Sequence, residues 1–483
     1  MRSRRPRVFA PLLRPFGRLK AAASDWLERH GTAALWLRVL RLGLFQFGMG
    51  LTLAPITGTL NRVLIDSLRI PAVLVGLLIA IHYFVSPVRA LIGFRSDQQR
   101  AAGRWRTPYI VMGAILTFGG LANTPFSLLL LSGQGTLPFV PALIICLLIF
   151  LAYGIGVNIV ETAYLALVSD LTPPAERGRV LAVLWMMLVL GTIVSSVLLG
   201  GLLAEYSDEK MIAILKSSAL IFLILSFLSL WKQERLRPDG RVVGYQPDAE
   251  PRVRMSLGQS LRLLAGQPLL RGLFAILFLG AAAFASHDVL LEPYGAQVLH
   301  MSVSATTQLT ALWGLAMLVA IPAAGWLLWR GFSPALPILL GCAVGALGFL
   351  VVSLASDAAL AIAFRSGVWL IGMGRGLFIV GSVALVMALT DRNHAGLFLG
   401  LWGVMQSLAQ GLGAVGGGLA RDLAAARFGS AVLGYTAVYG AALVSLLVAL
   451  LLLARMRLAR MRPDAAASPW QGLQDIPADQ IIY

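Results

Sequence analysis

Long apolar runs alternate with short polar breaks along this chain. Each run is about 20 to 30 residues, the length a helix rising 1.5 Å per residue needs to cross a hydrocarbon core about 30 Å thick. Twelve runs are predicted as spans 1 to 12: 38–64, 72–94, 108–132, 138–168, 178–204 and 211–231, then 268–298, 305–329, 335–355, 358–389, 395–420 and 431–455. A membrane β-barrel would show short alternating strands, so the pattern predicts an all-α membrane protein. The break between spans 6 and 7, WKQERLRPDGRVVGYQPDAEPRVRMSLGQSLRLLAGQP, is long, polar and rich in Pro and Gly. It divides the chain into a basic N-terminal tail (1–37), a six-helix half (38–231), a linker (232–267), a second six-helix half (268–456) and a C-terminal tail (457–483).

An internal repeat supports two halves. ALVSDLTPPAERGRVLAVLW from Ala166 matches ALVMALTDRNHAGLFLGLW from Ala384, with Gly178 and Gly396 each 12 residues after the starting Ala. The offset of 218 residues puts the copies after spans 4 and 10, as duplication of a six-helix unit requires.

Composition agrees with lipid as the solvent: 58% of the 483 residues are hydrophobic and 13% are charged. The net charge of +17 sits in short loops and tails, which predicts membrane orientation and argues against a nucleic-acid partner. Arg95, Arg100, Arg104 and Arg106, Arg177 and Arg179, the basic linker and both tails fall on one side, so both termini are expected in the cytoplasm. Loops after spans 3, 7 and 9 are nearly bare of Lys and Arg. Cys146 and Cys342 lie in apolar runs of different halves, which gives neither a disulfide framework nor a thiolate metal site. The Arg-rich N-terminus precedes no cleavage signal, and Leu19 to His30 reads as an interfacial helix or a basic tail.

The loop GFRSDQQRAAGRWRTPY, Gly93 to Tyr109, resembles the Gly/Asp/Arg-rich loop that major-facilitator proteins carry between spans 2 and 3. The resemblance implies a cytoplasmic gate, with Asp97 capping or pairing across it. Arg104 and Arg106 are expected either to face lipid phosphates or to serve only as positive-inside charge. The second half keeps only Gly325, Arg330 and Gly331 of such a loop, which weakens a symmetric gate. RTPYI (from Arg106), DVLLEPYGAQVLHMSVSATTQLTALWG (from Asp288), LRLGLFQFGMGLTLAPITGTLNRVLIDSLRIPA (from Leu40) and ETAYLALVSDLTPPAERGRVLAVLW (from Glu161) resemble the PucC/LhaA family of phototrophic bacteria. The likeness covers most of the chain outside the tails and mid-linker. It implies assembly of light-harvesting antenna complexes in the bacterial inner, photosynthetic membrane, with bacteriochlorophyll handed to antenna polypeptides. A growing reaction-centre antenna complex and the pigment-synthesis machinery are the further implied partners, beside the lipid bilayer.

Ionisable residues inside apolar runs are expensive, and hence candidates for function. Glu161 lies in span 4, Asp288 and Glu292 in span 7, and Arg365 and Arg375 in span 10, the helices that line the cavity if the major-facilitator arrangement holds. Measured along the spans from the cytoplasmic ends, Glu161 is about 10 Å deep, Arg375 about 20 Å, Asp288 about 28 Å, and Glu292 and Arg365 about 35 Å. These depths predict a Glu292–Arg365 pair, and Arg375 poised between Glu161 and Asp288. Their i, i+4 spacing predicts Asp288 and Glu292 on one helix face. Such pairs either lock the halves together or act on a ligand.

A chlorin needs a magnesium ligand, apolar ring surface and polar contacts for its carbonyls. His82 in span 2 and His287 in span 7 are candidate ligands, with Asn158 as an alternative; Phe47 and Trp313 are candidate ring surface. A buried histidine satisfied by a neighbouring helix is the plain alternative. No metal site beyond a chlorin magnesium is expected. Gly-rich GLGAVGGGLA, Gly411 to Ala420, suits close helix packing, and no loop followed by Lys cradles phosphate. With no Ser/His/Asp grouping either, a non-enzymatic role is expected. Two rivals stay open: a secondary transporter of a small solute working by alternating access, and a scaffold that binds antenna subunits without pigment.

Overall fold

The structure, a computed structural model, describes residues 31–89, 91–92, 95–96, 106–132, 137–172, 177–234, 268–388 and 395–456. The interfacial segment 19–30, both outer tails, the linker beyond residue 234 and gate residues Gly93, Asp97 and Arg104 lie outside the described residues.

Among the described residues ten helices are long and apolar enough to cross a membrane: Leu35–Ser67, Thr107–Leu131, Phe139–Leu171, Gly178–Leu202, Asp208–Leu230, Arg271–Gln297, Val303–Trp329, Ala335–Leu354, Ala361–Val386 and Ala431–Arg455. The shorter apolar helix Ala72–Phe84 and the long helix Ala395–Phe428 fill the places of spans 2 and 11. The twelve expected spans are thus accounted for in order. Span 7 is the most enclosed of the ten, 72% buried over its most apolar stretch, whereas spans 6 and 12 mostly face outward at 28% and 33%.

Each half is organised around a tight helix pair. Span 3 packs on span 4 where Gly113 and Gly120 meet the Val160 and Tyr153 backbones, and span 9 packs on span 10 where Gly341, Gly345 and Gly348 face Gly374 and Gly367. The missing side chains let backbones approach closely, a large part of helix association in lipid. Between halves, span 2 packs on span 11 and span 5 on span 8. The Gly411 to Ala420 run does what its composition predicts: Gly413 and Gly417 abut span 7 at Ala282 and Ser286, and Gly418 abuts span 2 at Ala72.

Among the described residues four spans break beside a proline; span 3 does so at Thr124 and Pro125, between Thr107–Asn123 and Phe126–Leu131. In span 1, Pro55 begins the π-helical segment Ala54–Leu60, and the Leu51 carbonyl that its ring leaves without an N–H accepts from Ser195 Oγ at 2.8 Å. Span 2 ends at Phe84, just before Pro87. There the Ser86 N–H turns to the Tyr83 carbonyl, and the freed His82 carbonyl accepts from Asn158 Nδ2 at 3.0 Å. Span 7 breaks into Pro268–Ser286 and Leu291–Gln297, with turns at 287–290 just before Pro293. The freed Asp288 carbonyl accepts from Asn61 Nδ2 of span 1 at 3.4 Å.

Hydrogen bonds crossing between halves gather at the span ends opposite the linker, here the far side. Thr59 and Thr307 hydroxyls meet at 3.0 Å, Arg62 donates to the Met301 carbonyl at 3.1 Å, Gln297 to the Ile65 carbonyl at 3.4 Å, and the Val73 N–H to Asp422 at 2.9 Å. Glu292 packs into this seam. Its Oε1 accepts from Thr310 at 2.9 Å, and a Cβ on Gly58 of span 1 would strike the same oxygen.

At the linker side the RTPY segment is tied down from two directions. The Glu234 carboxylate, just past span 6, caps the start of span 3, accepting from the Arg106 N–H at 3.1 Å, the Thr107 N–H at 2.9 Å and the Thr107 hydroxyl at 2.6 Å. Arg106 Nε reaches Asp170 at the end of span 4 at 2.8 Å, and its Nη1 donates to Ser96. Arg106 is therefore a buried structural cation, which corrects the expectation that it faces lipid phosphates.

Candidate functional site

Two ion pairs sit in the middle of the bundle, one in each half. In the second half the break in span 7 turns Asp288 toward span 10, where Arg375 Nη1 meets Asp288 Oδ1 at 2.6 Å. Trp313 of span 8 lies under that guanidinium at 5.2 Å. His287 completes the group, with ring centroids 6.3 Å from Trp313 and 6.0 Å from Phe349. Although span 7 is so enclosed, the Asp288 side chain remains 26% accessible, so the pair borders open space inside the bundle.

In the first half, Arg89 Nη2 meets Glu161 Oε2 at 2.9 Å, and Arg89 Nε donates to Asn158 Oδ1. Asn158 is otherwise occupied by the His82 and Gly154 carbonyls, at 3.0 and 2.7 Å. His82 lies against Tyr83 at 3.8 Å and Tyr153 at 6.5 Å between ring centroids. Tyr83 stands between the two pairs, within electrostatic reach of Arg89, Glu161, Asp288 and Arg375.

Both imidazoles are oriented by the same device. His82 Nδ1 meets the Ile79 carbonyl at 2.8 Å, and His287 Nδ1 meets the Phe284 carbonyl. A carbonyl only accepts, so Nδ1 carries the proton and a neutral ring presents its lone pair at Nε2. That is how ligating histidines are commonly held. The residues present therefore fit a chlorin magnesium, as far as an oriented neutral imidazole beside aromatic surface can. Among the described residues no group of three His, Cys, Asp or Glu could hold a metal ion by itself.

Several expectations need correction. Glu292 bonds Thr310 instead of Arg365, and Arg365 is exposed. Ten residues separate Arg365 from Arg375, so at about 100° per residue they point to different faces of span 10. Arg375 pairs with Asp288 alone, while the cation on Glu161 is Arg89, which sequence reasoning missed although it lies inside the predicted limits of span 2. The break at 287–290 separates Asp288 from Glu292, so their spacing does not place them on one continuous helix face. Asn158 spends both Nδ2 hydrogens and one Oδ1 lone pair on bonds to the His82 and Gly154 carbonyls and to Arg89. Phe47 packs at the crossing of spans 1 and 5, where its carbonyl abuts Gly191, and no ring contact joins it to either histidine among the described residues. An outward-facing apolar groove of about 920 Å³ between spans 3 and 4, lined by Met112, Ile115, Gly119 and Leu148, contains neither ion pair.

The family model described as "PUCC protein" matches residues 59–461. This chain belongs to the PUCC family. The protein named PucC of Rhodobacter capsulatus is 37% identical over 428 residues, covering 86% of this chain and 90% of that one. A second PUCC relative, named bacteriochlorophyll synthase 44.5 kDa chain of the same organism, is 30% identical over 404 residues, covering 80% and 88%. For the fold, this PUCC chain resembles the inward-facing, unoccupied crystal structure of a bacterial homologue of the human lysosomal transporter Spinster. The TM-score is 0.64 at 14% identity, over 88% of this chain and 97% of that one. The likeness shows the fold, a major-facilitator-like arrangement of two six-helix halves.

Proposed function

We propose that this chain is a non-enzymatic assembly factor for bacterial light-harvesting antenna complexes, binding bacteriochlorophyll in the central site and delivering it to antenna polypeptides. The observation that carries this reading is the pair of imidazoles, one per half, each held by a backbone carbonyl with Nε2 presented and aromatic rings alongside. The name of the relative that mentions bacteriochlorophyll supports the pigment, and the family's name is shared with PucC of a phototrophic bacterium. Bound pigment would supply the magnesium that an imidazole can ligate. The protein's own residues would orient the ring, exclude water and offer polar contacts. On this reading the partners are antenna polypeptides, a growing reaction-centre antenna complex and pigment-synthesis enzymes. On the same reading both termini lie in the cytoplasm and the chain in the inner, photosynthetic membrane, which the basic linker-side segments support.

The test is near-infrared absorption of the full chain purified in mild detergent from a phototrophic host, beside its His82→Ala and His287→Ala variants. A stoichiometric chlorin band that one variant loses supports pigment handling and names the ligand. An intact, monodisperse wild type without the band overturns it. The sealed far side, with ion pairs at the centre, favours a second reading: a secondary transporter of a small solute. Solute-dependent uptake into vesicles would select that reading, and co-purified antenna subunits without chlorin would select a pigment-free scaffold.

A further inference from the structure

Two consecutive residues of span 11 join the far-side contacts into one network. Asp422 reaches across the halves to the start of span 2, where its Oδ2 accepts from the Val73 N–H at 2.9 Å. The helix Ala72–Phe84 begins behind Pro71, which offers no side-chain acceptor to the free N–H groups of the first turn, so the other half supplies the cap. The bare Cα of Gly418 brings span 11 against the Ala72 carbonyl and sets the carboxylate within reach. Arg421 then ties Asp422 to a second grip. Its Nη1 donates to Asp422 Oδ1 at 2.9 Å and its Nη2 to Gln297 Oε1 at 2.6 Å. Tyr435 of span 12 donates to the same amide oxygen at 2.9 Å. Two donors on Oε1 fix the direction of the amide, and Gln297 Nε2 is left to face the Ile65 carbonyl of span 1 at 3.4 Å.

We propose that Arg421, Asp422, Gln297 and Tyr435 form a clamp on the second half that grips both ends of the first half's far-side turn, residues 66–72, and so holds the far side shut. The bonds among these four side chains all lie within the second half, so the clamp stays assembled when the halves part. Of its bonds, the two that opening must break are the jaws: one on a carbonyl at the end of span 1, the other on an N–H at the start of span 2. The Asp422 jaw is the stronger, because its acceptor is charged and lies at a helix N-terminus, whereas an amide bond of 3.4 Å is weak. Asp422 is therefore the residue on which the clamp depends. The inference does not use the pigment-binding reading and stands whichever ligand or partner the central site serves.

Opening is read as the rate at which a maleimide modifies Ser304→Cys, on the far side of the purified full chain, with Asp422→Ala, Asp422→Asn or Glu234→Ala added in turn. The native Cys146 and Cys342 are buried and contribute little background. Glu234→Ala controls for general loosening, since it removes a carboxylate cap of the same kind from the linker side. The expected result is labelling about fivefold faster in Asp422→Ala, the effect of losing one cap on the open population. Asp422→Asn, whose amide oxygen can still accept from Val73, gives a smaller rise, and Glu234→Ala gives none. Hydrogen exchange in the peptide that opens span 2 quickens in both Asp422 variants. Faster exchange there with unchanged labelling overturns the inference and leaves Asp422 a helix cap only. A labelling gain that Glu234→Ala matches overturns it as well. If Asp422→Ala does not fold, Asp422→Asn decides: unchanged labelling in that variant sinks the clamp.

Discussion

Arg89 and Glu161 meet at 2.9 Å with side chains only 12% and 7% accessible, so neither has water to fall back on. Removing one partner from such a pair leaves a desolvated charge, at about 3–5 kcal/mol, whereas replacing both by apolar groups is near neutral. Arg89→Met is therefore expected to lower the thermal unfolding temperature in detergent sharply, and Arg89→Met with Glu161→Leu to restore most of it. Failure of the double replacement to recover stability would mean that Asn158, which also accepts from Arg89, carries the larger share. The pair also shows where sequence reading stops at this scale. Glu161 and Arg375 stood out as charges in the middle of apolar runs, and both are paired centrally. Arg89 sits near the end of span 2 among loop arginines, and only the turn before Pro87 redirects it inward. Side-chain direction, unlike hydropathy, depends on where a helix breaks.

Helix ends and breaks decide the motifs. Thr107 and Pro108 open span 3 with no cap of their own, and Glu234 from beyond span 6 supplies it. Losing a cap removes about 0.5–2 kcal/mol. Glu234→Ala is expected to destabilise by that amount and to speed amide exchange at Arg106 and Thr107, with Glu234→Gln intermediate. The RTPYI and LVSD segments, quoted separately from the sequence, turn out to touch through Arg106 and Asp170, a contact no spacing could predict. Depth counting failed for Glu292 because it assumed a straight span 7, while the chain breaks at 287–290 and tucks Glu292 against Gly58. Gly58→Ala puts a methyl where the Glu292 carboxylate lies. Overpacking of this kind costs about 1–3 kcal/mol. It is expected to lower the unfolding temperature and to raise maleimide labelling of a cysteine placed at Ser304 on the far side, measured against Ser304→Cys alone.

The two halves, the twelve spans and the close packing of span 11 were legible because lipid imposes length and composition on every crossing segment. Which face of the molecule is shut was not legible, since it depends on contacts between halves. The Thr59 and Thr307 hydroxyls meet at 3.0 Å across the far-side seam, a spacing that brings cysteines at the same positions within bonding range. Cys146 and Cys342 are both buried and free, so they interfere little with an added pair. Thr59→Cys with Thr307→Cys is expected to cross-link on mild oxidation, seen as a mobility shift that reductant reverses. The locked protein then separates the readings. A transporter must part the halves at the far side once per cycle, so the cross-link would abolish solute uptake. Pigment handed to neighbouring helices within the bilayer has no need to cross to the far side. The assembly reading therefore expects antenna absorption in cells carrying the cross-linked protein to stay near the level given by the reduced one. Antenna absorption that collapses on cross-linking and recovers on reduction would show that far-side opening belongs to the assembly cycle itself.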